Sequence, residues 1–268
     1  MISCDITGGL GNQLFQIFTT IAHSIRQKTN FVFSLKKGDD YHRRAYWDIF
    51  DSLKNNLTNN HIELPIYKEP YFYYCPLPDS NNIKLNGYFQ SHKYFENEYI
   101  KIAEICEIST KRSICLEKYS SQYNFSNTIS LHFRIGDYSQ NKDYHPIMTN
   151  DYYINAINLI EQNDEELTNV LCFSEKIDEK EVDERIKSIS EIFPKLVFRK
   201  VSYDIQDWEQ MLIMSLCKHN IIANSSFSWW GAYFNDNNNK IVILPKKWFG
   251  DHFNINTIDL RPDSWLSI

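Results

Sequence analysis

Apolar residues recur along this chain with two periods, and their alternation predicts the fold. Residues 2–6 form a short β-prone run, and the turn Thr7-Gly8-Gly9-Leu10-Gly11-Asn12 follows. From Gln13 to Lys28, apolar residues fall at 14, 17, 18, 21, 22 and 25, which is the stripe of a helix with one buried face. Residues 31–35 read as a second, buried strand. Strand, turn, helix and strand make a βαβ unit with a parallel pair, right-handed by default.

The second half repeats this alternation more clearly. Strand-like runs lie at 128–133, 170–173, 196–201, 221–224 and 241–244, with helical segments at about 151–162, 178–193, 207–218 and 226–235 between them. Such an order predicts a parallel sheet covered by helices on both faces. Residues 36–125 carry a weaker pattern. They hold an aromatic and proline cluster around Tyr71-Phe72-Tyr73-Tyr74, then Gly87-Tyr88-Phe89-Gln90, then helical stretches at 95–106 and 113–119. Core packing is the expectation for residues 71–74, with acceptor or membrane contact as the alternative. The polar stretch 122–127 marks a boundary. The expectation is therefore an α/β protein of two lobes, 1–125 and 126–268, whose parallel sheets face a central cleft. Ligands of open α/β sheets bind beyond the carboxyl ends of the strands.

Composition narrows the function. The net charge is −6 and no dense Lys/Arg run occurs, which argues against nucleic acid held by counterion release. A phosphate-bearing ligand needs a local cationic pocket instead. The six cysteines are scattered, with no C-x-x-C and no zinc-like spacing, as in reduced thiols of a cytosolic protein. The start MISCDITGG has neither the basic nor the apolar part of a signal peptide. No run of 18 apolar residues predicts a spanning helix. A cytoplasmic location follows as an expectation, with peripheral contact at the inner membrane allowed.

Three constellations could carry chemistry. His132-Phe133-Arg134-Ile135-Gly136-Asp137-Tyr138 runs off the carboxyl end of a predicted strand. Arg134 there presents a permanently charged planar fork, suited to a diphosphate and to the charge that develops when one departs. The alternative is an arginine paired structurally with Asp137. In Asn224-Ser225-Ser226-Phe227-Ser228-Trp229-Trp230-Gly231 a strand ends and a helix begins. Its first N–H groups form an anion site, or else this is a plain serine-capped helix with a tryptophan core contact. The glycine turn at 8–11 lets backbone approach a ligand, but its spacing is not G-x-G-x-x-G. The strand after it ends in Lys36-Lys37 rather than an acidic residue, which disfavours a nicotinamide enzyme. The chain also lacks Asp-x-Asp, a P-loop and G-x-S-x-G, so neither a carboxylate-held metal, nor a P-loop ATPase, nor an α/β-hydrolase is expected.

Taken together, five blocks in order resemble the α-1,2-fucosyltransferases of glycosyltransferase family 11. They are Gly8-Gly9-Leu10-Gly11-Asn12-Gln13, Gly87-Tyr88-Phe89-Gln90-Ser91 with Lys93-Tyr94-Phe95, residues 132–138, residues 217–224 with the Ser-Ser-Phe-Ser-Trp-Trp-Gly-Ala that follows, and Pro245-Lys246-Lys247-Trp248-Phe249. The resemblance implies a GT-B-type architecture of two Rossmann-like lobes, GDP-β-L-fucose bound mainly by the C-terminal one, inversion, and no metal or other cofactor. It implies donor contacts from Gly11, Asn12, His132, Asn224, Ser225, Ser226 and Phe227. It adds Glu209 as the acidic residue before the serine pair, although the family's Asp falls nearer Gln210. Arg134 would meet the diphosphate. Asp143, in the following loop, would act as general base, with Asp137 and Asp5 as alternatives. The acceptor implied is a galactose-containing glycan or a lipid-linked oligosaccharide of the kind used for O-antigen and lipopolysaccharide. One departure stands out: the family's second adjacent arginine is Ile135 here, which suits the buried side of a strand end.

Overall fold

The computed structural model describes residues 1–35, 46–47, 49–141 and 143–268. Lys36-Lys37, expected at the end of the second strand, lie outside these residues. Two compact units make up the described chain: Met1–Thr110 with Ile255–Pro262, and Lys111–Asn254 with Asp263–Ile268. The division comes ahead of 125/126 because residues after Thr110 already bond into the second unit. Arg112 donates to Ser215 O at 3.1 Å and Asp236 Oδ1 at 2.8 Å, and Lys118 pairs with Glu209 at 2.7 Å. Residues 255–262 are held in the first unit by Asp259, which pairs with Lys93 at 2.5 Å and accepts from Tyr74 N at 3.0 Å.

The first unit contains β1 (Ile2–Cys4), α1 (Leu10–Arg26), β2 (Phe31–Ser34), β3 (Leu57–Thr58), β4 (Ile66–Lys68), β5 (Ile83–Asn86), α2 (Tyr99–Ile105) and the first turn of α3 (Ile108–Tyr119). Its sheet runs β3-β2-β1-β5-β4, with every pairing parallel. Ile2 lies opposite both Phe31 and Ile83, so β1 is central. The predicted stripe of α1 lies in the core of this unit: Leu14, Ile17, Phe18, Ile21 and Ala22 are fully buried, as is Phe15 beside them. Lys28 ends the helix by taking a positive φ of 49°, which lets Thr29 N reach back to Ser24 O at 3.0 Å. Strands β3 to β5 were not legible in the pattern, since two to four residues are too few to show alternation.

The second unit contains β6 (Thr128–His132), α4 (Asn150–Glu161), β7 (Asn169–Phe173), α5 (Glu179–Ile192), β8 (Val197–Lys200), α6 (Asp207–Leu216), β9 (His219–Ile221), α7 (Ser226–Tyr233), β10 (Val242–Leu244) and β11 (Leu266–Ser267). Read from one edge, its parallel sheet is β8-β7-β6-β9-β10-β11, the dinucleotide-fold order 3-2-1-4-5-6. One strand starts earlier than its apolar run. β9 includes His219 and Asn220 because both are satisfied internally: Asn220 Nδ2 donates to Ser130 Oγ at 2.7 Å and Met214 O at 2.8 Å, and His219 Nδ1 accepts from Ile241 N at 2.9 Å. Trp229 and Trp230 are fully buried, with ring centroids 5.2 Å apart, so this pair belongs to the core. Ile135 is buried in the same unit's apolar cluster beside Phe133 and Met148, as its apolar character predicts.

Helices α6 and α7 pack closely at Gly231. A Cβ added there would lie 2.8 Å from Met214 Cβ. Gly231→Ala is expected to cost about 1–3 kcal/mol by overpacking, outweighing a helix-propensity gain of at most about 1 kcal/mol. Urea unfolding would show this as a lower midpoint; an unchanged or higher midpoint would contradict the close approach.

Candidate functional site

The strand order of the second unit reverses between β6 and β9. Crossovers lead outward through β7 and β8 on one side and through β10 and β11 on the other. The loops leaving these two central strands therefore part, which opens a crevice at their carboxyl ends. Residues 132–138 and 224–227 both lie there.

One hydrogen bond joins the two motifs, and two more tie the second motif to neighbouring loops. Tyr138 Oη donates to Asn224 O at 2.9 Å. The buried Asn224 amide donates to Pro146 O and to Trp248 O, each at 3.0 Å. One side chain thus ties the loops after β6, β9 and β10 together. Its Oδ1 has no partner among the described residues.

His132, the last residue of β6, is buried with its ring 5.7 Å from that of Phe227. Burial, helped by the charge of Arg134, pushes its pKa down to about 3, so the imidazole is neutral at ordinary pH. Its Nδ1 is without a partner among the described residues. Ser225 occupies the N-cap position of α7, as predicted, but its side chain makes no capping bond. The Ser225 side chain therefore does not close the first turn of this helix.

Arg134 has both readings' features at once. Its side chain is only 13% exposed, and it bonds to Asp137 Oδ1 at 2.5 Å and to Glu175. Burial disfavours its charge, but Glu175 and Asp137 more than offset this and hold the guanidinium protonated. Its centre lies 5.0 Å from the Tyr138 ring, which itself stacks on His145 at 4.3 Å and 10°. The Nε atom is buried and unpartnered among the described residues. Gly136 makes room for this cluster with φ of 21°: its N donates to Asp178 Oδ2 at 2.8 Å, and a Cβ would meet Glu175 Oε2 at 2.7 Å. One cation thus stands among three carboxylates, Asp137, Glu175 and Asp178. An anionic ligand reaching Arg134 takes the place of a carboxylate rather than filling an empty fork.

Glu175 and Asp178 were not anticipated. The available signal was position: both follow β7, which pairs with β6, so they emerge at the same end as Arg134. Asp143 is exposed in a turn whose backbone sits against Gly250; Gly250 N donates to Tyr144 O at 2.9 Å, and a Cβ on Gly250 would fall 1.8 Å from Asp143 O. Glu209 lies in the first turn of α6, where its buried carboxylate accepts from Lys118 of α3.

Gly11 and Asn12 belong to the first unit. There β1 and β5 are adjacent parallel strands, and the glycine turn and residues 87–90 follow their carboxyl ends. Gln90 Nε2 donates to Asn12 Oδ1 at 2.8 Å, and Gln16 Nε2 donates to Gly87 O at 3.1 Å. Gly8 takes φ of 77°, and a Cβ there would meet Asn12 Nδ2 at 2.7 Å. Gly11 is buried in α1. Asp5 pairs with Lys84 at 2.7 Å. Glu69, also unanticipated, accepts from Tyr88 N at 2.7 Å and Phe89 N at 3.0 Å; burial outweighs these bonds and raises its pKa to about 6.

His132 makes this region acid-sensitive. Its folded pKa lies below the ordinary 6.5, so its contribution to stability is present above pH 6.5 and is lost as pH falls toward about 3. Loss of up to about 1.4 kcal/mol per pH unit is expected in that window. Urea unfolding of wild type and His132→Gln across it should show the shallower pH dependence in the variant; equal slopes would contradict a buried neutral imidazole.

Comparison with known proteins adds to this geometry. The E. coli O-antigen biosynthesis glycosyltransferase WbnK is 28% identical over the whole of both chains. The E. coli alpha-1,2-colitosyltransferase is 29% identical, covering 100% of this chain and 99% of its own. The Caenorhabditis elegans galactoside 2-alpha-L-fucosyltransferase is 23% identical over 100% of this chain and 79% of its own. The glycosyl transferase family 11 model matches residues 50–268, which takes in the Arg134 loop, the Asn224 clamp and the start of α7. With that match over most of its length, the chain belongs to glycosyl transferase family 11.

Proposed function

We propose that this enzyme transfers L-fucose from GDP-β-L-fucose to O2 of a terminal galactose on a glycan or lipid-linked oligosaccharide, with inversion and without a metal ion. The observation that carries this reading is Arg134 at the carboxyl end of β6, set against Tyr138, whose hydroxyl bonds to Asn224 O just ahead of the start of α7. A diphosphate meeting both gains a charged fork and helix-end amides. In this reading the second unit holds the donor and the first takes the acceptor.

Neutral His132 suits a donor site, since it offers an unpartnered ring nitrogen without adding charge beside Arg134. Phe227 supplies an apolar ring next to it. Asn224 contributes Oδ1 as an acceptor while its amide keeps the loops in place. The diphosphate displaces the Glu175 or Asp137 contact of Arg134, an exchange of one anion for another. Gly11, Asn12 and Glu209 are retained as donor-binding candidates. Among these, Glu209 must share its carboxylate with Lys118.

The reaction forms one bond and breaks one. The acceptor oxygen attacks the anomeric carbon from the face opposite the diphosphate. The C1–O bond breaks, and its electron pair leaves with GDP, where Arg134 stabilises the new charge. The acceptor proton passes to a carboxylate, and Asp143 is the assignment. Of the alternatives, Asp137 is neutralised by Arg134 and Asp5 by Lys84, whereas Asp143 is exposed in the loop that follows Arg134.

The colitosyltransferase relative gives a second donor reading, GDP-colitose in place of GDP-fucose. No helix among the described residues is long and apolar enough to cross a membrane.

GDP release from GDP-fucose, GDP-colitose and GDP-mannose, with lactose as acceptor and linkage analysis of the product, decides donor and bond. Arg134→Ala should lower kcat by roughly 100-fold or more and weaken GDP binding by calorimetry. Near-normal turnover of that variant removes the diphosphate role. Asp143→Asn should lower kcat with little change in the KM for donor; an unchanged kcat transfers the base role to another carboxylate.

A further inference from the structure

The segment after β4 was expected to pack in the core; Tyr74 meets the buried Tyr94, whereas Tyr71 and Tyr73 stack outside it. Tyr71 is 57% exposed, and none of Phe72, Tyr73 and Tyr74 is buried. The Tyr71 and Tyr73 rings lie parallel, with centroids 4.9 Å apart and planes at 5°. They form an aromatic slab with a face open to solvent.

The backbone beneath that slab is pinned from inside the first unit. Tyr74 N donates to Asp259 Oδ2 at 3.0 Å, and Asp259 is itself buried and paired with Lys93. Cys75 N donates to Tyr94 Oη at 3.1 Å, and the Tyr74 ring meets the Tyr94 ring edge-on at 4.9 Å. At the other end, Glu69 N donates to Asn86 O at 2.8 Å, and the Glu69 carboxylate holds Tyr88 N and Phe89 N. Residues 69–75 are thus tied at both ends by bonds that leave the two tyrosine rings outside. They also follow the carboxyl end of β4, next to β5, on the same end of the sheet as the glycine turn and residues 87–90. That is the ligand end of a parallel α/β sheet.

The chemistry of the segment selects the occupant. Residues 69–79 contain Glu69 and Asp79 and no Lys or Arg, so they offer nothing to a phosphate or an anionic bilayer. A flat aromatic face with phenolic hydroxyls at its rim suits a neutral pyranose, which presents a patch of C–H bonds on one face and hydroxyls around it. We propose that Tyr71 and Tyr73 form the platform on which the acceptor sugar stacks. This assignment rests on the glycosyl-transfer reading above and adds the residues that take the acceptor.

The test uses the full chain with lactose as probe, by ligand-observed NMR titration, and GDP titrated separately by calorimetry. The platform predicts that Tyr71→Ala/Tyr73→Ala weakens lactose binding roughly tenfold, while Tyr71→Phe/Tyr73→Phe keeps most of it and both keep the GDP affinity of wild type. Lactose binding unchanged in the alanine variant overturns the proposal, as does a wild type that binds neither lactose nor N-acetyllactosamine. Loss of binding to vesicles containing anionic lipid, with lactose binding intact, overturns it in favour of a membrane contact. A wild type that binds lactose through these tyrosines but has no affinity for GDP sinks the donor reading and leaves the platform standing.

Discussion

A parallel sheet covered by helices on both faces leaves few places where polar chemistry can surface. Its strands are buried along their length, and their backbone groups are used up in the ladder. Side chains that must meet a polar ligand therefore collect where strands end. In the second unit this constraint gathers His132, Arg134, Glu175 and Asn224–Ser226 at one end of three adjacent strands, β7, β6 and β9. The reversal of strand order between β6 and β9 then separates the loops and opens that end.

Asn224 keeps this arrangement in place. It is almost fully buried, yet it spends its amide on two backbone carbonyls, one from the loop after β6 and one from the loop after β10. Its own carbonyl takes the Tyr138 hydroxyl, and the Tyr138 ring meets both Arg134 and His145. The guanidinium is positioned by this chain of contacts as much as by its carboxylates. The electrostatic balance matters as well. Asp137 and Glu175 keep Arg134 charged despite burial, and they also compete with any anion for it. Affinity for a diphosphate then depends on the difference between two anionic partners rather than on the bare charge.

Much of the second unit was legible in the residues. Five strands and four helices appear at or next to where the apolar runs and helical stripes put them, because the four helices are long enough to show a stripe and so set off the short runs between them. The first unit was less legible: β3 to β5 are short and sit among prolines and tyrosines, where no period can be counted. Of the site, Arg134, His132 and the Asn224–Phe227 turn were visible as residues suited to a diphosphate. Glu175 and Asp178 were not, since a glutamate and an aspartate near a helix start carry no mark of the arginine they face.

By itself the sequence determined the class of fold, the two motifs at strand ends and the family they resemble, because strand period, glycine turns and an invariantly charged arginine are local properties. Only the tertiary structure decided three things. It gave Arg134 its carboxylate partners, it made Asn224 a clamp between loops, and it turned Tyr71 and Tyr73 outward. Each depends on which strands become neighbours and which backbone groups need a partner, and residues far apart in the chain settle that together.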